Sequence, residues 1–301
     1  MTLQPKNMLN RLLKSLLVSF VCIIVLSIII NLTAIKLPIL TEASYERYLI
    51  LFLYLIVMIF YVSLLFDQLY LSQKAKGISL FFYLFIMTGS LQLLESLVAQ
   101  INVQPKAIVD VIVYTLVITS FTVLIFRYYG KGAESYTKRI KNYFSHQHIS
   151  KWLLKCIYAI FLLFIAHYLI NSMLTPFIEP YYNGRYANIL KMSHHAEDVK
   201  YVSMLTHALV MVVGFQPLFA FWKGSKTSLL FWFGFPLFII LAFQPFIFNV
   251  HWPLGFRFPL FIEETLIMYI HAIILVHLFY VPDETHKEEE LVKSKLSMSN
   301  W

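Results

Sequence analysis

Seven ionisable side chains lie inside apolar stretches of this chain: Glu95, His167, His207, Glu263, Glu264, His271 and His277. In hydrocarbon such a group is costly unless it is paired or hydrated, so each one marks a place where chemistry is expected. Imidazole and carboxylate together suit a divalent ion such as zinc, which can activate a bound water near neutral pH. His167 and His207 are the expected ligands, joined by His194, His195 and Asp198 from a polar connection. Glu264 is the expected base, with Glu263 and Glu95 as further catalytic carboxylates. Arg185 or Arg257 would clamp an anionic substrate through the guanidinium fork, and Asn171 and His271 would line the same pocket.

Helical spacing groups some of these side chains. His167 and Asn171 are four apart, as are Ser203 and His207, while Glu264 and His271 are seven apart. Each pair therefore shares one face of a helix. Counted from the ends of their apolar runs, His167 and His207 sit at a common depth of about 10 Å, at 1.5 Å per residue.

Other chemistries use the same residues. Two histidines at one depth on different helices suit the axial positions of a b-type haem. Glu95, Glu264 and His271 suit a titrating relay in a small-solute or proton-coupled transporter. In a membrane assembly or sensor protein without catalysis, the histidines would only bond one helix to another.

The elements that must carry these residues follow from composition. The chain has 301 residues, 59% of them hydrophobic and 13% charged. A soluble domain carries about 25% charged residues, so much of this apolar surface must face lipid. Long apolar runs without period-two alternation exclude a membrane barrel and predict helices. Eight are expected: Ser15–Ala34, Tyr48–Phe66, Ile78–Val98, Ala107–Phe126, Trp152–Leu174, Tyr201–Trp222, Ser228–Phe248 and Leu260–Val281. The first run is too long for a cleaved signal and reads as a retained span.

Basic residues gather at alternate junctions, among them Lys6, Arg11 and Lys14, then Lys74 and Lys76, then Arg127 to Lys151, then Lys223 and Lys226. The positive-inside rule places both termini in the cytoplasm, as an even number of spans requires. The fold class is thus an all-α integral protein of the plasma membrane, a bundle of about eight transmembrane helices with N-in/C-in topology. It is expected as a single polytopic domain with a first half at 1–127, a cytoplasmic linker at 128–151, a second half at 152–281 and a tail at 282–301. The linker mixes aromatics with bases and is expected to lie as an amphipathic helix on anionic lipid headgroups.

The net charge of +8 belongs to these junctions, and nucleic-acid binding is excluded for want of a basic stripe away from the membrane. Cys22 and Cys156 lie inside apolar runs with no metal or redox spacing. A local echo, Gly214-Phe215-Gln216-Pro217 against Ala242-Phe243-Gln244-Pro245, predicts a pair of bent helices around a cavity.

Overall fold

The structure is a computed structural model that describes residues 5–32, 45–69, 71–90, 105–126, 136–145, 148–182, 197–222, 224–250 and 252–281. Its helices are α1 (Pro5–Leu32), α2 (Tyr45–Asp67), α3 (Gln73–Phe85), α4 (Pro105–Phe126), α5 (Tyr136–Ser145), α6 (Ile149–Tyr182), α7 (Glu197–Gly214), α8 (Gln216–Phe221), α9 (Lys226–Leu237), α10 (Gln244–Phe248) and α11 (Leu254–Phe279). Two π-helical turns, Ile86–Ser90 and Phe238–Phe243, extend α3 and α9. Among the described residues there is no strand, only an isolated bridge between Leu69 and Trp222.

Seven described helical segments are long and apolar enough to cross a bilayer. The chain is therefore a multi-pass α-helical membrane protein. The expected third span, Ile78–Val98, coincides with α3 and its π turn as far as Ser90; its remainder lies outside the described residues. Large apolar side chains stand exposed along the lipid-facing sides, for example Phe20 and Ile28 on α1 and Phe161 and Met173 on α6. In water such a surface would not persist on a monomer. Two buried hydroxyls are satisfied locally, Ser19 by the Ser15 carbonyl at 2.7 Å and Thr115 by the Val111 carbonyl at 2.8 Å. That local bonding lets polar residues sit in a span without a partner helix.

One continuous core runs from α1 to α11. It crosses the division between the two halves through aromatic pairs: Tyr61 with Phe235 at 4.4 Å, Tyr83 with Phe215 at 5.5 Å and Tyr54 with Phe248 at 5.7 Å. One end of the bundle collects basic residues. Arg11 pairs with Asp67 and donates to Ser63, and both Arg11 and Lys14 lie over the Phe126 ring. At the same end Tyr280 donates to the Gly224 carbonyl at 3.0 Å and the Trp152 indole donates to Gln216 at 3.1 Å.

The helix α5 falls in the expected linker, and its apolar side docks on protein. Tyr143 is buried and donates to the Phe279 carbonyl at 2.9 Å, while Phe144 packs on Trp152 at 5.3 Å. The last carbonyls of a helix lack intrahelical donors, so the end of α11 is a natural acceptor for that hydroxyl. Lys141, on the other side of α5, is exposed.

The two proline echoes fold differently. At the first, the chain breaks at Phe215 (φ −96°, ψ −1°) and restarts as α8. At the second, the Gln244 N–H reaches back to the Ile239 carbonyl and a π turn absorbs Pro245. Each proline borders a cavity, Pro217 one of about 260 Å³ and Pro245 one of about 30 Å³. Among the described residues no histidine lines either cavity.

Candidate functional site: a buried cluster of three histidines

α6 and α11 pack along each other, and α7 lies against α6. This packing brings His167 (α6), His207 (α7) and His271 (α11) together. Ring centres lie 5.6 Å apart for His167 and His207, 5.4 Å for His207 and His271, and 6.4 Å for His167 and His271. His207 and His271 are buried, and His167 is partly buried. Neither ring nitrogen of His271 makes a well-formed hydrogen bond among the described residues, although the Leu163 carbonyl of α6 lies beside it. A buried imidazole without full hydrogen bonding is a costly arrangement that stability alone does not explain.

The spacing can be compared with what an ion requires. With zinc–nitrogen bonds of about 2 Å, two imidazoles on one tetrahedral ion hold their ring centres about 5 Å apart. The three observed separations lie near that value. The rings meet edge to face, however, and among the described residues no set of three or more His, Cys, Asp or Glu is placed to hold a metal ion as it stands. Backbone packing fixes the ring spacing, whereas the imidazole turns about χ2 in a broad potential. Spacing is therefore the discriminating quantity, and convergence requires ring rotation. A haem does not fit. Its axial rings must face each other across a plane, and the His271 ring touches both of the other two.

A polar ladder continues from the cluster along α6. The Asn171 amide donates to the buried Glu263 Oε1 at 2.6 Å, and the Thr175 hydroxyl donates to the Asn171 main-chain carbonyl at 2.7 Å. Asn171 lies one turn from His167, and Glu263 lies two turns from His271 along the buried stripe Glu263, Ile267, His271. Both lie displaced from the histidines away from the basic end. Glu264 diverges from this stripe and lines the 30 Å³ cavity with Arg257, Asn249 and Trp252. Arg257 donates to the Phe246 carbonyl at 3.0 Å and lies over the Phe246 ring at 5.3 Å, which ties α10 to α11.

The structure thus gathers His167, His207 and His271 in one place and Asn171 with Glu263 in the next. Glu95, Arg185, His194 and His195 lie outside the described residues, as does the Asp198 side chain. The sequence reading gave His271 to the pocket lining; the structure makes it the third member of the histidine cluster. His277 stays apart, its ring nitrogen set 2.9 Å from the Ile273 carbonyl one turn back.

Fold and site together define a multi-pass α-helical membrane bundle with an interior histidine cluster. Comparison of the chain with protein families, with curated proteins and with solved structures finds no match.

Proposed function

We propose that the protein is an enzyme of the plasma membrane whose centre is a divalent-metal site formed by His167, His207 and His271, with zinc as the ion. The observation that carries this reading is the mutual spacing of three imidazoles on three helices, 5.4 to 6.4 Å. Three neutral imidazoles are a common catalytic ligand set that leaves a fourth position open, and an ion held there supplies Lewis-acid chemistry. Glu263, oriented by Asn171, is the proton acceptor on the approach to the cluster. Glu264 and Arg257 line the small cavity beside Pro245. In this reading the basic end is cytoplasmic, both termini are inside, and the eight spans include α3. The substrate then arrives from the outer leaflet, as a lipid or lipid-linked anion, and Lys141 and the other bases of the linker meet anionic headgroups inside.

Zinc content of the purified protein tests the proposal. About one zinc per chain is expected to survive desalting, and His167→Ala, His207→Ala and His271→Ala each reduce it to background. A zinc content that is unchanged in all three variants, or a wild-type chain that takes up no zinc on loading, overturns it.

One observation favours a second reading. The buried Asn171–Glu263 pair and a proline-broken helix beside a cavity suit a proton-coupled transporter. Proton-linked uptake in vesicles that is lost in Glu264→Gln would favour it, and zinc-independent behaviour of the three histidine variants would separate the two.

A further inference from the structure

The 260 Å³ cavity beside the first proline break has a composition unlike the histidine site. One face of α3 lines it with Ser79, Phe82, Tyr83 and Ile86, the i, i+3, i+4, i+7 set of a helix. Val213 and Gly214 at the end of α7 form the facing wall. The two walls approach so closely that a Cβ on Gly214 would stand 2.6 Å from Ile86 Cδ1. No charged side chain among the described residues lines the cavity. Its rim residues Phe82 and Val213 are 54% and 56% exposed, so the mouth opens on the lipid-facing surface.

Two further observations point to an occupant with an oxygen acceptor. The Ser79 Oγ and Tyr83 hydroxyl are buried and make no hydrogen bond among the described residues, and Tyr83 is 4% exposed. Buried hydroxyls are normally paired, so both are donors in want of an acceptor. Ser79 stands six residues into α3, about 9 Å along the helix and one residue into the apolar run expected to begin at Ile78. The start of an apolar run borders the interfacial region, where bilayer lipids carry their ester carbonyls.

We infer that this cavity holds one acyl chain of an ester-linked bilayer lipid, its ester carbonyl accepting from both Tyr83 and Ser79 and its chain lying against Ile86 and the broken end of α7. The inference does not depend on the histidine site.

The test is photolabelling of the full chain in phosphatidylethanolamine nanodiscs in which one acyl chain carries a diazirine. Adducts are mapped by peptide mass spectrometry at Phe82, Ile86 and Val213, with the lipid-facing Phe161 of α6 as the reference. Adducts are expected to concentrate in the cavity over the reference face. Tyr83→Phe, which keeps the ring, is expected to lower the cavity yield about two- to tenfold through the loss of one hydrogen bond. Val213→Trp, at an exposed rim position, is expected to abolish it and leave Phe161 labelling unchanged. Cavity labelling no higher than at Phe161, or a yield unchanged in either variant, overturns the inference and leaves annular lipid only.

Discussion

Asn171 and Glu263, ninety-two residues apart in sequence, are joined by an amide–carboxylate hydrogen bond of 2.6 Å between α6 and α11. The bond ties together the two helices that carry His167 and His271, one to two turns from the cluster. Asn171→Ala removes a donor from a buried carboxylate and is expected to lower stability by about 1–3 kcal/mol. Chemical denaturation in detergent reads this directly; an unchanged midpoint would show that the bond does not hold α6 to α11.

Gly214 permits the close approach of α7 to the π turn after α3, since its missing Cβ would sit 2.6 Å from Ile86 Cδ1. Gly214→Ala is expected to destabilise by about 0.5–1.5 kcal/mol, since the end of the Ile86 side chain must turn away. Adding Ile86→Val should restore part of that loss. Thermal melts of the four members of this cycle measure the coupling, and strict additivity would contradict it.

Lys76, at the basic end, is 3% exposed, and burial lowers its ammonium below the usual lysine range against the opposing pull of Asp67. Below its folded pKa the charge is present in folded and unfolded chains, and folding must desolvate it. As pH rises from the folded value toward the unfolded one, 10.5, the unfolded chain binds more protons, so stability rises. Lys76→Met is expected to remove that alkaline gain. Melting temperatures of both proteins across the alkaline range check it; parallel profiles would contradict the assignment.

Both native cysteines are buried, Cys22 fully and Cys156 at 7% exposure, so an added thiol reports alone. Ser145→Cys, exposed at the end of α5, is expected to react with an impermeant maleimide only in inverted vesicles. Asn183→Cys, beyond α6, is expected to react only in intact cells. The reverse pattern would turn the bundle over and place the approach to the histidines on the cytoplasmic side.

Much of the architecture is readable from apolar runs alone, because a bilayer demands long stretches of one chemistry. The ends are less readable. The sequence reading ends the fifth span at Leu174, yet α6 runs on through Pro176 and Pro180 to Tyr182, and α11 begins at Leu254 rather than Leu260. Depth counted from the apolar edge is therefore short for His167 and His271. From the true helix ends they lie 15 and 17 residues in, about 22 and 25 Å, which is nearly level. The contact of His167 with His207 agrees with the common depth read from the apolar runs, although His207 lies only ten residues from its helix end; the inclusion of His271 needed the packing of α11 on α6. The Asn171–Glu263 bond likewise depends on which helices meet, and helical spacing within one span carries no such information.

The ion-sharing geometry of His167, His207 and His271 is tested most directly by X-ray absorption at the zinc edge of the zinc-loaded protein. The account predicts a shell of about three imidazole nitrogens at about 2.0–2.1 Å, lost in His271→Ala. A bound zinc without multiple imidazoles, or a spectrum unchanged in His271→Ala, would contradict it.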